Sequence, residues 1–278
     1  MSIAQPDTTL VQIGPPQGLE AIDFRELWRY RDLFRFLVWR DIKVLYAQTV
    51  LGFSWAILNP AIQIIVFSVI FGKVANIDTG GVPYILFSTV AIIPWTYMSD
   101  AMTAASQSLV QGSAMLGKVY FPRVLFPLTP VLAKLVDFSI SLVILVPVMI
   151  YYQVAPTWNL LMLPLLVVTM IMVPTGIGMW LAALAIRYRD VRFAMTYVIK
   201  LLIYSAPILY TAARIAPDIR FWYSLNPIVA VIEGFRSCLL GGPIEWQFIV
   251  PGMITSLLMF MSGAFYFRRM ERVFVDVI

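Results

Sequence analysis

The stretch LVQGSAMLGKVYFPRVLFPLTP, residues 109–130, is a short polar interruption between two long apolar blocks. Gly112 and Gly117 loosen it, and Pro122 rules out one continuous helix, because proline lacks an N–H and clashes with the preceding turn. Its only charges are Lys118 and Arg123, both basic. Val119, Tyr120 and Phe121 between them are too apolar for a purely solvated loop. A basic loop on the cytoplasmic side that also offers Tyr and Phe fits a docking knob for a soluble partner. It also fits an ordinary connection whose aromatics rest among lipid headgroups.

Both readings need apolar flanks that lie in a membrane, and the composition supplies them. Hydrophobic residues make up 60% of the 278 and charged residues 13%, which is not the balance of a soluble globule. Several apolar runs approach the ~20 residues needed to cross a bilayer. The net charge of +5 is not a nucleic-acid signature here, since Lys and Arg in such a chain mark the loops that stay in the cytoplasm. One cysteine, Cys238, excludes an intrachain disulfide. The absence of histidine removes the commonest general base and metal ligand.

Outward from the loop, the chain reads as an all-α polytopic membrane protein with six transmembrane helices per protomer. Residues 1–18 are polar and proline-bearing and read as a mobile cytoplasmic tail. No apolar run with a cleavage site follows, so no cleaved signal peptide is expected. The remaining 19–278 form one transmembrane domain. From Leu19 to about Val50, Leu27, Tyr30, Phe34, Leu37, Val44 and Leu45 fall near one helical face, and Arg25, Arg29, Asp32, Arg40 and Lys43 on the other. This predicts an N-terminal amphipathic interfacial helix, with Trp and Phe in lipid and Arg toward anionic headgroups.

The predicted spans are about 51–71, 84–104, 124–152, 160–186, 193–210 and 248–267. Between the last two, Asn226-Pro227 is a helix start and Gly241-Gly242 a stop. The helix between them, about Pro227–Leu240, is short for a span and predicts an external re-entrant helical hairpin with Ile219–Leu225 as its other arm. With the N-terminus inside, the cytoplasmic segments hold Arg25, Arg29, Arg31, Arg35, Arg40, Lys43, Lys118, Arg123, Arg187, Arg189, Arg192, Arg268, Arg269 and Arg272. The external ones hold Lys73, Arg214, Arg220 and Arg236, so both termini are expected in the cytoplasm.

There is no phosphate loop of the Gly-x-x-x-x-Gly-Lys-Ser/Thr type and no Ser-His-Asp set. Asp100, Asp137, Asp190 and Glu233 are far apart in sequence and on different elements, so no carboxylate or metal cluster is expected. Lys134 with Asp137, and Glu233 with Arg236, are spaced i,i+3 and predict local ion pairs. Two polar stripes lie within spans: Trp55, Asn59 and Gln63 on the first, and Phe193, Tyr197, Lys200 and Tyr204 on the fifth. Such residues at mid-membrane face protein or water. They fit helix packing glued by polar groups, or a lumen whose aromatic faces and hydrogen-bonding tips suit sugar rings.

Four stretches together resemble the membrane subunit of type-2 ABC exporters (ABC-2) that move O-antigen or capsule-like polysaccharides. They are QTVLGFSWAILNP (48–60), KVYFPR (118–123), RYRDV (187–191) and LNPIVAVIEGFR (225–236). The resemblance implies a homodimer with two copies of a separate cytoplasmic ATPase, which would bind the ATP and Mg; none is expected on this chain. It implies that the interfacial helix and the loop bearing Lys118, Val119, Tyr120, Phe121 and Arg123 contact that ATPase. It implies a glycan substrate on a polyprenyl diphosphate lipid, and membrane lipids but no nucleic acid as further partners. Asn226, Glu233 and Arg236 would belong to an external gate helix. An ABC-2 permease for teichoic acid, another lipid or a drug, an ion-coupled transporter and a membrane glycosyltransferase are the competing readings. The ion-coupled reading would want internal repeats and mid-span carboxylates.

Overall fold

A computed structural model describes residues 24–47, 49–116, 121–155 and 157–271. Among them every regular element is helical: α1 (Phe24–Arg29), α2 (Arg31–Tyr46), α3 (Ser54–Phe67), α4 (Tyr84–Gln111), α5 (Ser113–Leu116), α6 (Leu125–Tyr151), α7 (Leu163–Arg187), α8 (Arg189–Ser205), α9 (Pro217–Ser224), α10 (Pro227–Leu240) and α11 (Trp246–Glu271). The expected tail at 1–18 and Lys118, Val119 and Tyr120 lie outside the described residues.

Four helical stretches among the described residues are long and apolar enough to cross a membrane: 54–74, 125–151, 158–187 and 246–271. They coincide with the first, third, fourth and sixth predicted spans. The second prediction falls on α4, which is 28 residues long and runs on to Gln111. The fifth falls on α8, which has 17 residues and stops at Ser205 rather than 210. At 1.5 Å per residue α8 is about 26 Å long, just under the ~30 Å of a hydrocarbon core. The stop has a local cause: Ala206 precedes Pro207, which disfavours helical backbone before it, and Ala206 is extended.

The core is α4 packed between α6 and α7, with α11 against the far side of α7 and α10 laid across α4, α7 and α11. Apolar attraction does not drive helices together in lipid, so close backbone approach must. At the crossing of α7 and α11 a Cβ on Gly176 would stand 2.7 Å from the Met259 carbonyl, and one on Gly263 only 2.3 Å from the Gly176 oxygen. The buried hydroxyls of Thr129, Thr169 and Thr175 donate back to the carbonyls of Leu125, Leu165 and Ile171, so the core contains them without unmet donors. Beyond α3 the chain widens into a π-helix over Ser68–Val74, and the following loop is tied by Asp78 to Arg214.

The predicted single interfacial helix is instead broken at Tyr30 into α1 and α2. Leu27, Tyr30, Phe34 and Leu37 pack on the bundle beside Phe121 and Phe267, whereas Trp28, Phe36 and Trp39 are exposed. Val44 and Leu45 are also exposed, on the end of α2 beyond the packed Leu37. A cavity opens beneath the second half of α2, between it and the bundle.

Candidate functional site

A closely bonded polar site lies where α8 ends. The Asn226 side chain accepts from the Ile228 N–H at 3.0 Å, Pro227 follows in the first turn, and Gly241 closes α10 at φ 73°. The helix therefore has the bounds that its capping residues predict. Its charged residues do not face outward, however. Glu233 and Arg236 are only 6% and 5% exposed, so the two charges of this helix are turned into the protein. They form the predicted i,i+3 pair, Nη1 to Oε1 at 3.0 Å.

The reason for the burial is the broken backbone of residues 206–210. Arg236 donates through Nη2 to the Ile208 carbonyl at 3.1 Å and through Nη1 to the Tyr210 carbonyl at 3.3 Å. The Tyr84 hydroxyl donates to the Leu209 carbonyl at 3.2 Å, and Asn226 Nδ2 to the Ser205 carbonyl at 3.1 Å. Glu233 in turn accepts from the Ala212 N–H at 3.3 Å. Non-helical backbone at membrane depth persists only where protein groups satisfy it, and these side chains do so. The guanidinium also sits over the Phe87 ring, 3.5 Å from its centroid. The loop, α4 and α10 are thus locked together at the predicted external end.

At the other end, Lys134 Nζ donates to Asp137 Oδ2 at 2.8 Å and stands 3.9 Å from Asp100. The predicted pair is present, but Asp100 joins it from α4, so two carboxylates do gather where none was expected to. No group able to hold a metal ion forms among the described residues. Tyr46, unmarked in the sequence, donates its hydroxyl to Asp137 and so ties the end of α2 to α6. Burial first, and then that hydrogen bond, raise the Tyr46 hydroxyl above its ordinary pKa and keep it a donor. The available signal was three ionisable groups inside apolar runs, Asp100, Lys134 and Asp137, which must find partners somewhere.

The central loop is less open than expected. Phe121 is buried on the Phe126 ring, with centroids 5.3 Å apart, which removes it from any exposed knob. Arg123 donates through Nη1 to the Glu271 carbonyl at 2.8 Å, clamping the end of α11. Arg25 and Arg29 lie on α1, and Arg40 and Lys43 on α2, as expected of the polar face. Arg40 is bonded to Asp41 at 2.8 Å.

The two stripes stay at the surface of the protomer. Trp55 and Asn59 on α3 are exposed and Gln63 is half-buried. On α8, Tyr197 is 70% and Tyr204 65% exposed, and Lys200 lies between them. Helices α3 and α8 do not pack along each other, so one protomer does not bring the stripes together. Val198 is exposed as well, whereas Ile199 is buried, so α8 turns Ile199 inward.

Long apolar helices whose ionisable groups are spent on one another describe a multi-pass helical membrane protein. The chain belongs to the ABC-2 type transporter family, whose profile matches residues 32–240. It is similar to the O-antigen export system permease protein RfbA of Myxococcus xanthus, 27% identical over 215 residues that cover 77% of this chain and 82% of that one. A protein of the same name from Klebsiella pneumoniae is 23% identical over 89% of this chain and 95% of its own. The polysialic acid transport protein KpsM of Escherichia coli is 21% identical over 84% of this chain and 91% of its own. The chain is accordingly a transport subunit and not an enzyme.

Proposed function

We propose that this chain is the permease of an ATP-driven exporter that carries a polyprenyl-diphosphate-linked polysaccharide of the O-antigen kind across the bacterial cytoplasmic membrane. The observation that carries the reading is the similarity to permeases named for O-antigen export along nearly their whole length. The exposed stripes support it. Trp55, Asn59, Gln63, Tyr197, Lys200 and Tyr204 are costly in lipid, and they become useful if a second copy of the chain closes them into a lumen. Tyrosine and tryptophan then offer flat faces to sugar rings and polar tips to hydroxyls.

In this reading six spans cross the membrane, with α4 and α8 completing the four longer stretches and both termini in the cytoplasm. Helices α9 and α10 form the external re-entrant hairpin, and Asn226, Glu233 and Arg236 hold it shut at the outer end of the path. Helices α1 and α2 lie in the inner interface. Two copies of an ABC ATPase, which bind the ATP and Mg, dock against them and the loop around Lys118–Arg123.

The test is deletion of the chain in its own cell. Lipid-linked glycan should accumulate on the cytoplasmic side while its synthesis continues, and an ATPase should co-purify with the tagged chain. Normal surface glycan in the deletion, with accumulation of a different lipid, would replace this substrate by that lipid and favour the other ABC-2 reading.

A further inference from the structure

A cavity of about 620 Å³ opens between α2, the end of α4 and the start of α6, at the depth where the interfacial helix meets the spans. Its apolar wall includes Leu45, Ala104 and Phe126, and its polar wall Arg40, Asp41 and Lys134. A pocket of this size with one apolar and one charged side fits an amphiphile rather than a sugar or a bare ion.

The charges say which headgroup. Lys134 stands between two carboxylates, Asp137 at 2.8 Å and Asp100 at 3.9 Å, which outweigh its single charge, so an anion gains little there. Arg40 spends two of its five donors on Asp41, through Nε at 3.1 Å and Nη2 at 2.8 Å, both on Oδ1. The wall thus presents a cation beside an anion. Its complement is an anion beside a cation: the phosphate of a lipid on Arg40 and its amine on Asp41, each closing a charge-assisted hydrogen bond. The exposed Trp39 and Val44 on the same helix keep this mouth among the acyl chains and headgroups.

We propose that this cavity is a binding site for a glycerophospholipid with a phosphate–amine headgroup, held with its chains under α2. The bound lipid would fill the space between the interfacial helix and the bundle. It does not depend on which substrate the permease exports, and its test uses no transport assay.

The experiment is retention of defined lipid by the purified, delipidated full chain, read by native mass spectrometry after mixing with phosphatidylethanolamine, phosphatidylcholine or phosphatidylglycerol. Phosphatidylethanolamine should be retained at least tenfold better than phosphatidylcholine, whose quaternary amine donates no hydrogen bond, and better than phosphatidylglycerol. Retention should fall about tenfold in Arg40→Gln, Asp41→Asn and the space-filling Ala104→Phe. It should be unchanged in Arg35→Gln, an exposed charge on the same helix whose side chain is 79% accessible. Should Ala104→Phe fail to fold, the two headgroup variants decide. Equal loss in Arg35→Gln and Arg40→Gln would reduce the effect to surface charge. Equal retention of the three lipids, or recovery of a polyprenyl diphosphate from this site in native membranes, would overturn the proposal.

Discussion

Replacing Arg236 by Met is the perturbation with the largest consequence that the structure allows to be worked out. Three groups lose their donor at once: the Glu233 carboxylate at 3.0 Å, the Ile208 carbonyl at 3.1 Å and the Tyr210 carbonyl at 3.3 Å. Glu233 keeps only the Ala212 N–H at 3.3 Å and has 6% of its surface in contact with solvent. Breaking a buried pair by removing one partner costs ~3–5 kcal/mol, because the other charge is left uncompensated. The double variant Glu233→Met with Arg236→Met removes the lone charge and recovers most of this. It still leaves the two carbonyls of the broken segment short of a donor, a residual loss of roughly 1–3 kcal/mol. Arg236→Lys keeps the charge but not the fork that reaches both carbonyls, and should fall between. Equilibrium unfolding of the purified chain in mixed micelles, titrated with SDS, gives the order: wild type, then the double variant and the Lys variant, then Arg236→Met. A double variant no more stable than Arg236→Met would refute the uncompensated-charge argument. Wild-type stability in all three would refute the role of Arg236 as the cap of residues 206–210.

Phe121→Ala should destabilise the chain by ~3–5 kcal/mol through the cavity left beside Phe126, measured by the same unfolding titration, and a change under 1 kcal/mol would return Phe121 to the exposed loop. Cysteines at 197, 200 and 204 should react with a water-soluble thiol reagent in the assembled transporter and cysteines at 199 and 202 should not; the native Cys238 is buried and adds little background, and equal labelling of both sets would make the α8 stripe a packing surface. Asp78 has its pKa lowered by the Gly80 N–H first and Arg214 second. Because the folded pKa lies below the unfolded one, the tie between the outer loops is present through neutral and mildly acidic pH and is lost only as pH falls below the ordinary carboxylate value of 3.8. Spin labels at Thr79 and Ala213 should hold their separation down to that range, and release near pH 5 would contradict the assignment.

Local signals in the sequence carried far. Helix α10 could be bounded from Asn226, Pro227 and Gly241 because capping is chemistry between near neighbours. The i,i+3 pairs were legible for the same reason, since helical spacing puts both charges on one face. What the sequence hid is long-range. Asp100 meets Lys134 across α4 and α6, Tyr46 meets Asp137 across 91 positions, and Arg123 meets Glu271 across 148. None of these contacts leaves a periodic trace. The break before Pro207 is marked in the sequence only by the proline, within a run apolar enough to read as one span, and the groups that satisfy its freed carbonyls, Arg236 and Tyr84, come from other elements. The α3 and α8 stripes illustrate a different limit. Periodicity placed their residues on one face, yet a face that meets lipid, a second copy or a water-filled path has the same spacing.

The central claim is that this chain forms an ATP-driven path for a lipid-linked glycan, and inverted membrane vesicles measure that directly. Vesicles containing this chain and its co-purifying ATPase are supplied on the outside with radiolabelled glycan on a polyprenyl diphosphate. Addition of ATP should move the label to a compartment that an added glycosidase cannot reach, and omission of ATP or of this chain should abolish the protection. ATP turnover with no protected glycan, or protection of the lipid only when it carries no glycan, would contradict the account.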